Sequence, residues 1–358
     1  MSTFVVILQF VFVFGLLIFF HELGHFLASK ALGIEIEEFG FGYPPRLVKL
    51  FTWKGTEVTL NWIPFGGFVR PKGEGDENVE GGMSAAPAWK RLIILLSGPT
   101  MNFIVGIIVL IVMYAAVGTP VSNQVLITDI APNSPAQTSN LQIGDVITGI
   151  NKKELTDIDQ MQTLIQENLG KEISLTVSRD DETLIVELTP RLNPPEGEGS
   201  VGIWYTNAYE PMPFTNALGS AFDTFGYQAK ETLMLPINLI NGSVSGEEAR
   251  VIGLKGIFDI FSNASEMDAS GPVAAATPLP IYRLSVISTV SIALGLTNLL
   301  PIPALDGGQI FLMLPELFFK KRIPQSVLNT INSVFFFLLI LLMVYINVQD
   351  FVNPILQP

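Results

Sequence analysis

The chain has 358 residues, 49% of them apolar, and carries 20 basic against 33 acidic side chains, a formal net charge of −13. That balance, with no basic run longer than Lys320-Lys321-Arg322, speaks against a nucleic-acid partner. There is no cysteine, which removes disulfides, cysteine metal ligands and thiol nucleophiles together. A mean hydropathy of +0.45 points to a polytopic membrane protein with a substantial soluble part.

The first predicted element covers residues 1–33. Phe4 to Phe20 is apolar except for Gln9, and the helical pattern runs on through Leu32 to Gly33. About 20 helical residues cross a bilayer core of about 30 Å, so this is a transmembrane helix. Met1-Ser2-Thr3 supplies no positive charge ahead of the apolar run, which argues against a cleaved signal peptide. The same helix carries His21-Glu22-Leu23-Gly24-His25, and these are the only two histidines in the chain. Residues i and i+4 share a helix face, so both imidazoles can reach one zinc ion, with Glu22 beside it to take a proton from water. A charged side chain at membrane depth costs on the order of 2.5–3.5 kcal/mol, so one found there is functional by default. A Ser-His-Asp triad would need a third histidine unless this pair were given up.

Residues 34–90 are rich in charge and turns, with strand-like Glu57–Asn61 framed by Tyr43-Pro44-Pro45 and Gly66-Gly67. An extended peptide could add to such a strand, which makes Gly66 and Gly67 candidate substrate-binding positions. The alternative is an ordinary loop. A second transmembrane helix is expected over 91–118, polar only at Ser97, Gly98, Pro99, Thr100 and Asn102 across its apolar centre.

Residues 122–190 alternate in the manner of strands at Val125–Ile127, Asp145–Ile147, Ile173–Val177 and Leu184–Leu188. An amphipathic helix, Asp157–Leu169, interrupts them. Ser134-Pro135-Ala136 and the stretch Leu141–Asn151 resemble a PDZ domain, which implies a peptide or protein ligand taken as an added strand. A small β-domain that binds nothing is the alternative. Residues 191–280 read as linker and interfacial helices. Phe214 to Phe225 has amphipathic helical spacing, Asn193–Ser200 reads as a linker, and Ser262–Pro280 as a loop.

A third transmembrane helix is expected over 281–310 and a fourth over 327–348. The third ends in Asn298-Leu299-Leu300-Pro301-Ile302-Pro303-Ala304-Leu305-Asp306-Gly307-Gly308. Catalytic zinc takes three protein ligands, and without another histidine the third must be a carboxylate. Asp306, at membrane level and flanked by glycines, is the best candidate, although Asp-Gly-Gly taken alone is only a turn. Four spans place both termini on one side. Eight Lys or Arg lie between Lys30 and Arg91 and none between Leu92 and Asn151. The loops at 33–91 and 320–326 are therefore expected in the cytoplasm, with residues 118–280 outside. Arg283, at the outer start of the third span, is read as snorkelling.

Together these residues resemble the site-2 protease family of intramembrane zinc metalloproteases, in the bacterial PDZ-containing branch similar to the regulator-of-sigma-E protease. The resemblance covers nearly the whole chain: His21–His25, Ser97-Gly98-Pro99 with Asn102, one PDZ domain, and Asn298 through Gly308. Gly40–Glu74 resembles that family's membrane-reentrant β-loop. The implied fold is a polytopic α-helical membrane protein of about four transmembrane helices, with a membrane-associated β-loop and an inserted α+β PDZ domain. The implied site is zinc on His21, His25 and Asp306, with Glu22 activating water. Asn298 would be catalytic, and Asn102 would assist near the substrate. The implied partners are the lipid bilayer and single-span membrane protein substrates such as anti-sigma factors or signal-peptide remnants. The implied location is the inner (plasma) membrane, with the histidine motif near its cytoplasmic side. Two departures are visible: one PDZ domain where some relatives have two, and Ile252–Ile257 where many relatives carry a Gly-Pro motif.

Two competing readings stand beside the protease. A PDZ membrane scaffold with structural zinc has no need of Glu22 as a base. A zinc transporter using the same three ligands lacks further His or acidic residues along the spans to make a path.

Overall fold

The computed structural model describes residues 2–73, 79–179, 182–195, 197–243, 250–270 and 279–354. The chain divides into two compact units, one formed by 1–110, 221–264 and 283–358, the other by 111–220 and 265–282.

In the first unit the apolar N-terminal run forms α1 (Thr3–Ala31), which stops at Leu32 and a positive-φ Gly33. Two long strands follow, β1 (Ile36–Trp53) and β2 (Thr56–Pro71). Each is bent back on itself. Gly40 lies opposite both Thr59 and Phe68, and Phe41 opposite both Leu60 and Gly67, so four extended segments lie side by side with residues 66–71 at an outer edge. The bends fall where prolines remove amide donors (Pro44, Pro45) and where Gly66 adopts φ +86°. Phe26, Ile36 and Phe39 are buried together with Leu23 and Val69 against them, which seats the edge segment along α1 at the level of the histidine motif.

The helix α2 (Ala88–Val117) approaches α1 and a later helix through glycines. A Cβ on Gly24 would lie 2.3 Å from the Ser97 carbonyl oxygen, and one on Gly106 would lie 2.7 Å from Ile292. Small residues at crossings are how helices approach closely in lipid, where apolar burial adds no driving force.

The other unit is built on a sheet. It contains β3 (Thr119–Ile130), the short α3 (Pro135–Thr138), β4 (Val146–Ile150), β5 (Lys153–Glu154), α4 (Ile158–Glu167), β6 (Ile173–Arg179), β7 (Glu182–Leu188) and β8 (Ile203–Glu210). The strand order is β7-β6-β4-β3-β8, with β5 on β4. Val125, Ile127, Ile147, Ile150, Met161, Leu175 and Val177 form its fully buried core. Asp157 caps α4 by accepting from the Gln160 amide at 2.7 Å. The expected strands and the amphipathic helix are present. Unexpectedly, β8 carries the sheet past residue 190, where the sequence reading ended it. Glu196, within the expected linker, lies outside the described residues.

Helix α5 (Phe214–Ile240) includes the amphipathic stretch seen in the sequence. Residues 254–270 form α6 (Leu254–Ser270), which corrects the loop expected from Ser262. The rest of that loop, 271–278, is not among the described residues. The third span is shorter than expected. Helix α7 (Ile281–Asn298) stops ahead of Pro301 and Pro303, and Asp306 opens a separate helix, α8 (Asp306–Phe319). Arg283 does not merely snorkel: it donates to the Gln9 carboxamide oxygen at 3.0 Å, pairing the single polar residue of the Phe4–Phe20 run. The last helix is α9 (Gln325–Val352). Four helices among the described residues, α1, α2, α7 and α9, are long and apolar enough to cross a membrane.

Candidate metal centre

Helix geometry puts His21 and His25 one turn apart on α1, with Nε2 atoms 3.2 Å from each other. Asp306 arrives from the turn after α7. That turn is tight: Cβ atoms on Gly307 and Gly308 would fall 2.2 Å from the Leu299 oxygen and 2.0 Å from the Ile302 oxygen, so only glycine fits at either position. Ala304 takes φ +78°, and its amide donates to Asn332 Oδ1 of α9 at 3.3 Å. The result is an Asp306 Oδ2 lying 3.2 Å from His21 Nε2 and 3.4 Å from His25 Nε2.

These distances test whether a metal fits. Tetrahedral zinc with bonds of about 2.0–2.1 Å separates its ligand atoms by about 3.3 Å. The three ligand atoms meet that spacing, and Asp306 Oδ2 is buried without any hydrogen bond. A buried carboxylate oxygen in that condition needs a cation. Space is kept for it as well, since a Cβ on Gly98 would come within 2.3 Å of His25 Nε2 and 2.9 Å of His21 Cε1. Among the described residues these three side chains form a group able to hold a metal ion.

Glu22 stands beside that group and outside it. Its Oε2 accepts from the Val69 amide at 3.1 Å, so the outer edge of β2 fixes the carboxylate. The site opens into a cavity of about 770 Å³ lined by His21, Glu22, His25, Gly67, Asn298 and Asp306, and by one side of α9.

The remaining sequence candidates fall in different places. Asn298 lines the cavity, with its Nδ2 donating to the Leu294 carbonyl of its own helix at 3.0 Å. Gly67 also lines it, and a Cβ there would sit 3.6 Å from Glu22 Cγ. Gly66 forms the β2 bend against the Tyr43 ring and is not part of the cavity wall. Asn102 is 1% exposed and absent from the wall; its amide lies 3.2 Å from His21 Nδ1.

The sequence pattern of Peptidase family M50 matches residues 9–342. The chain belongs to peptidase family M50. Among similar proteins, one of Clostridium perfringens named as a zinc metalloprotease is 29% identical, covering 96% of this chain and 97% of its own length. A Campylobacter jejuni protein of the same description is 31% identical over 95% of this chain and 91% of its own. The Bacillus subtilis protein named regulator of sigma-W protease RasP is 24% identical over 96% and 98%. This M50 chain is thus a metalloprotease, and its metal is zinc.

Several residues that shape the M50 site escaped the sequence reading as site groups. The Ile94 carbonyl holds His25 Nδ1 at 2.7 Å, the Val69 amide holds Glu22, and Gly98 clears the metal's space. The first two act through backbone atoms, which any residue type but proline supplies. The third acts through a missing side chain.

Proposed function

We propose that this M50 metalloprotease is an intramembrane endopeptidase that hydrolyses peptide bonds in or near transmembrane segments of single-span membrane proteins. The observation that carries the reading is the His21–His25–Asp306 group, with both histidines on a helix apolar enough to span a bilayer and Asp306 in the turn after another, opening into a large cavity. In this reading His21, His25 and Asp306 are the zinc ligands. Zinc held there supplies Lewis-acid polarisation of a scissile carbonyl and acidifies water. Glu22, oriented by the Val69 amide, accepts the proton and later returns it to the leaving amine. A developing oxyanion needs a donor, and Asn298 on the cavity wall can turn its amide from the Leu294 carbonyl toward it.

A helical substrate hides its carbonyls in its own hydrogen bonds and must unwind to be cut. The outer edge at 66–71 lies beside Glu22, and an unwound segment added there brings its carbonyls to the site. Gly67 keeps that approach low. Residues 34–90 act as a membrane-associated β-loop on the cytoplasmic side of the inner membrane. The β3–β8 unit is a PDZ domain on the outer side, where it selects among substrates through a bound peptide. By analogy with the sigma-W regulator named above, anti-sigma factors are the substrate class favoured.

Replacement of Glu22 by Gln tests the assignment. Base catalysis contributes about 10²–10⁴-fold, so single-turnover cleavage of a transmembrane peptide should fall by at least that range while zinc content stays at the parental level. Turnover within a few-fold of the parent would remove Glu22 from the chemistry.

A further inference from the structure

The two histidines are held differently on the side away from the metal. His25 Nδ1 lies 2.7 Å from the Ile94 carbonyl oxygen, which can only accept. Nδ1 therefore carries a proton, and as a zinc ligand His25 would offer the Nε2 that faces Asp306 and His21. His21 turns Nε2 to the same place, 3.2 Å from Asp306 Oδ2, and with zinc on that nitrogen its proton too belongs on Nδ1 and needs an acceptor. The group 3.2 Å from that atom is the Asn102 carboxamide.

We propose that Asn102 is a positioning residue that accepts a hydrogen bond from His21 Nδ1–H and so fixes the tautomer and ring angle of a zinc ligand. The nitrogen and oxygen of a carboxamide are interchangeable by rotation about its terminal bond. With Nδ2 toward His21, two donors face each other and Asn102 Oδ1 is buried without a partner. Half a turn of the amide relieves the donor–donor contact, because Oδ1 then accepts from Nδ1–H. The residue has little freedom to do anything else. It is 1% exposed and absent from the cavity wall, so a substrate in the cavity does not meet it. Its own backbone carbonyl accepts from the fully buried Ser291 hydroxyl of α7 at 2.8 Å, which locks this level of α2 in place. The arrangement is asymmetric: one histidine is oriented by main chain, the other by a replaceable side chain.

The inference rests on His21 being a zinc ligand, and the test separates the two. Zinc affinity is measured by chelator competition on the detergent-purified full chain for Asn102→Leu, Asn102→Asp and His21→Ala. Loss of an outer-shell partner typically weakens metal binding 10–100-fold. Asn102→Leu, similar in size but without an acceptor, should show that loss. Asn102→Asp, a stronger acceptor at the same place, should bind zinc within a few-fold of the parent or more tightly. Parental affinity in Asn102→Leu overturns the proposal, and so does an equal loss in Leu and Asp, which would mark a packing role. Parental zinc binding in His21→Ala instead overturns the ligand set. If Asn102→Leu does not accumulate, Asn102→Ala serves, read as the rise in melting temperature on adding zinc to the metal-free protein. A rise equal to the parent's overturns the proposal, and a reduced one supports it.

Discussion

Gly98 shows how much of a metal site is decided by atoms that are not there. A methyl group at this position would stand 2.3 Å from His25 Nε2 and 2.9 Å from His21 Cε1, well inside van der Waals contact. His25 cannot retreat freely, because its Nδ1 is tied to the Ile94 carbonyl. Gly98→Ala should therefore strip zinc from the purified protein while its helix content is unchanged, since alanine is the better helix former. Metal analysis beside circular dichroism checks this, and full zinc occupancy in the variant would contradict it. At this scale the sequence was legible where side-chain chemistry is rare: two histidines four apart, a glutamate between them and an Asp-Gly-Gly at membrane depth. It was opaque where a backbone carbonyl, a backbone amide or the absence of a Cβ does the positioning. The role of Asn102 lay between these cases, because its position in α2 was visible and its direction was not.

Among the elements, α9 is held to its neighbours by few contacts. Of its 28 residues Asp350 alone is buried, and most of its apolar side chains are exposed. Asp350 accepts from the Gly253 amide at 2.8 Å, the Gly256 amide at 3.1 Å and Arg250 Nη2 at 2.7 Å, while Asn347 Oδ1 accepts from the Lys255 amide at 3.1 Å. The carboxylate thus caps the first turn of α6 from another helix, satisfying amides that have no partner inside α6. Nearer the metal, α9 lines the cavity with Phe336, Leu339 and Met343. Removing the clasp leaves buried donors unpaired, at about 1–3 kcal/mol. Asp350→Ala should lower the detergent melting temperature clearly and Asp350→Asn less, as followed by thermal unfolding; equal melting of all three proteins would rule the clasp out as a stabilising contact. The clasp was not legible beforehand. Helix α6 does carry an apolar stripe, Leu254, Ile257, Phe258 and Phe261, packed on Val6 and Phe10 of α1, which the sequence reading passed over; a lone Asp near the end of an apolar helix, by contrast, carries no pattern. The same limit applies to β8 and to the doubled register of β1 and β2, since pairing partners distant in sequence leave no local periodicity. By contrast, α1, α2 and α9 were plain from length and apolarity alone.

For the molecule as a whole, the apolar side chains exposed along α1, α2 and α9 make sense only with lipid as the solvent, and the polar groups then report which side of the membrane each segment occupies. On the proposed topology the eight basic residues between Lys30 and Arg91, and the Lys320-Lys321-Arg322 cluster after α8, lie on the side that positive charge favours; the 60 residues from Leu92 to Asn151 carry none. Arg91 and Arg322 both pair with Glu316, which brings those two basic segments to the same end of the helices without reference to any charge rule. Since the chain has no cysteine, single cysteines report position on a clean background. Lys153→Cys, on the exposed β5 turn, should react with a membrane-impermeant maleimide on intact cells. Lys321→Cys, exposed after α8, should react only once the membrane is opened. The reverse pattern would place the sheet unit in the cytoplasm and the β1–β2 loop outside. The PDZ-like unit could not then screen substrates before they reach the site from the outer side, and its proposed role would fall with the topology.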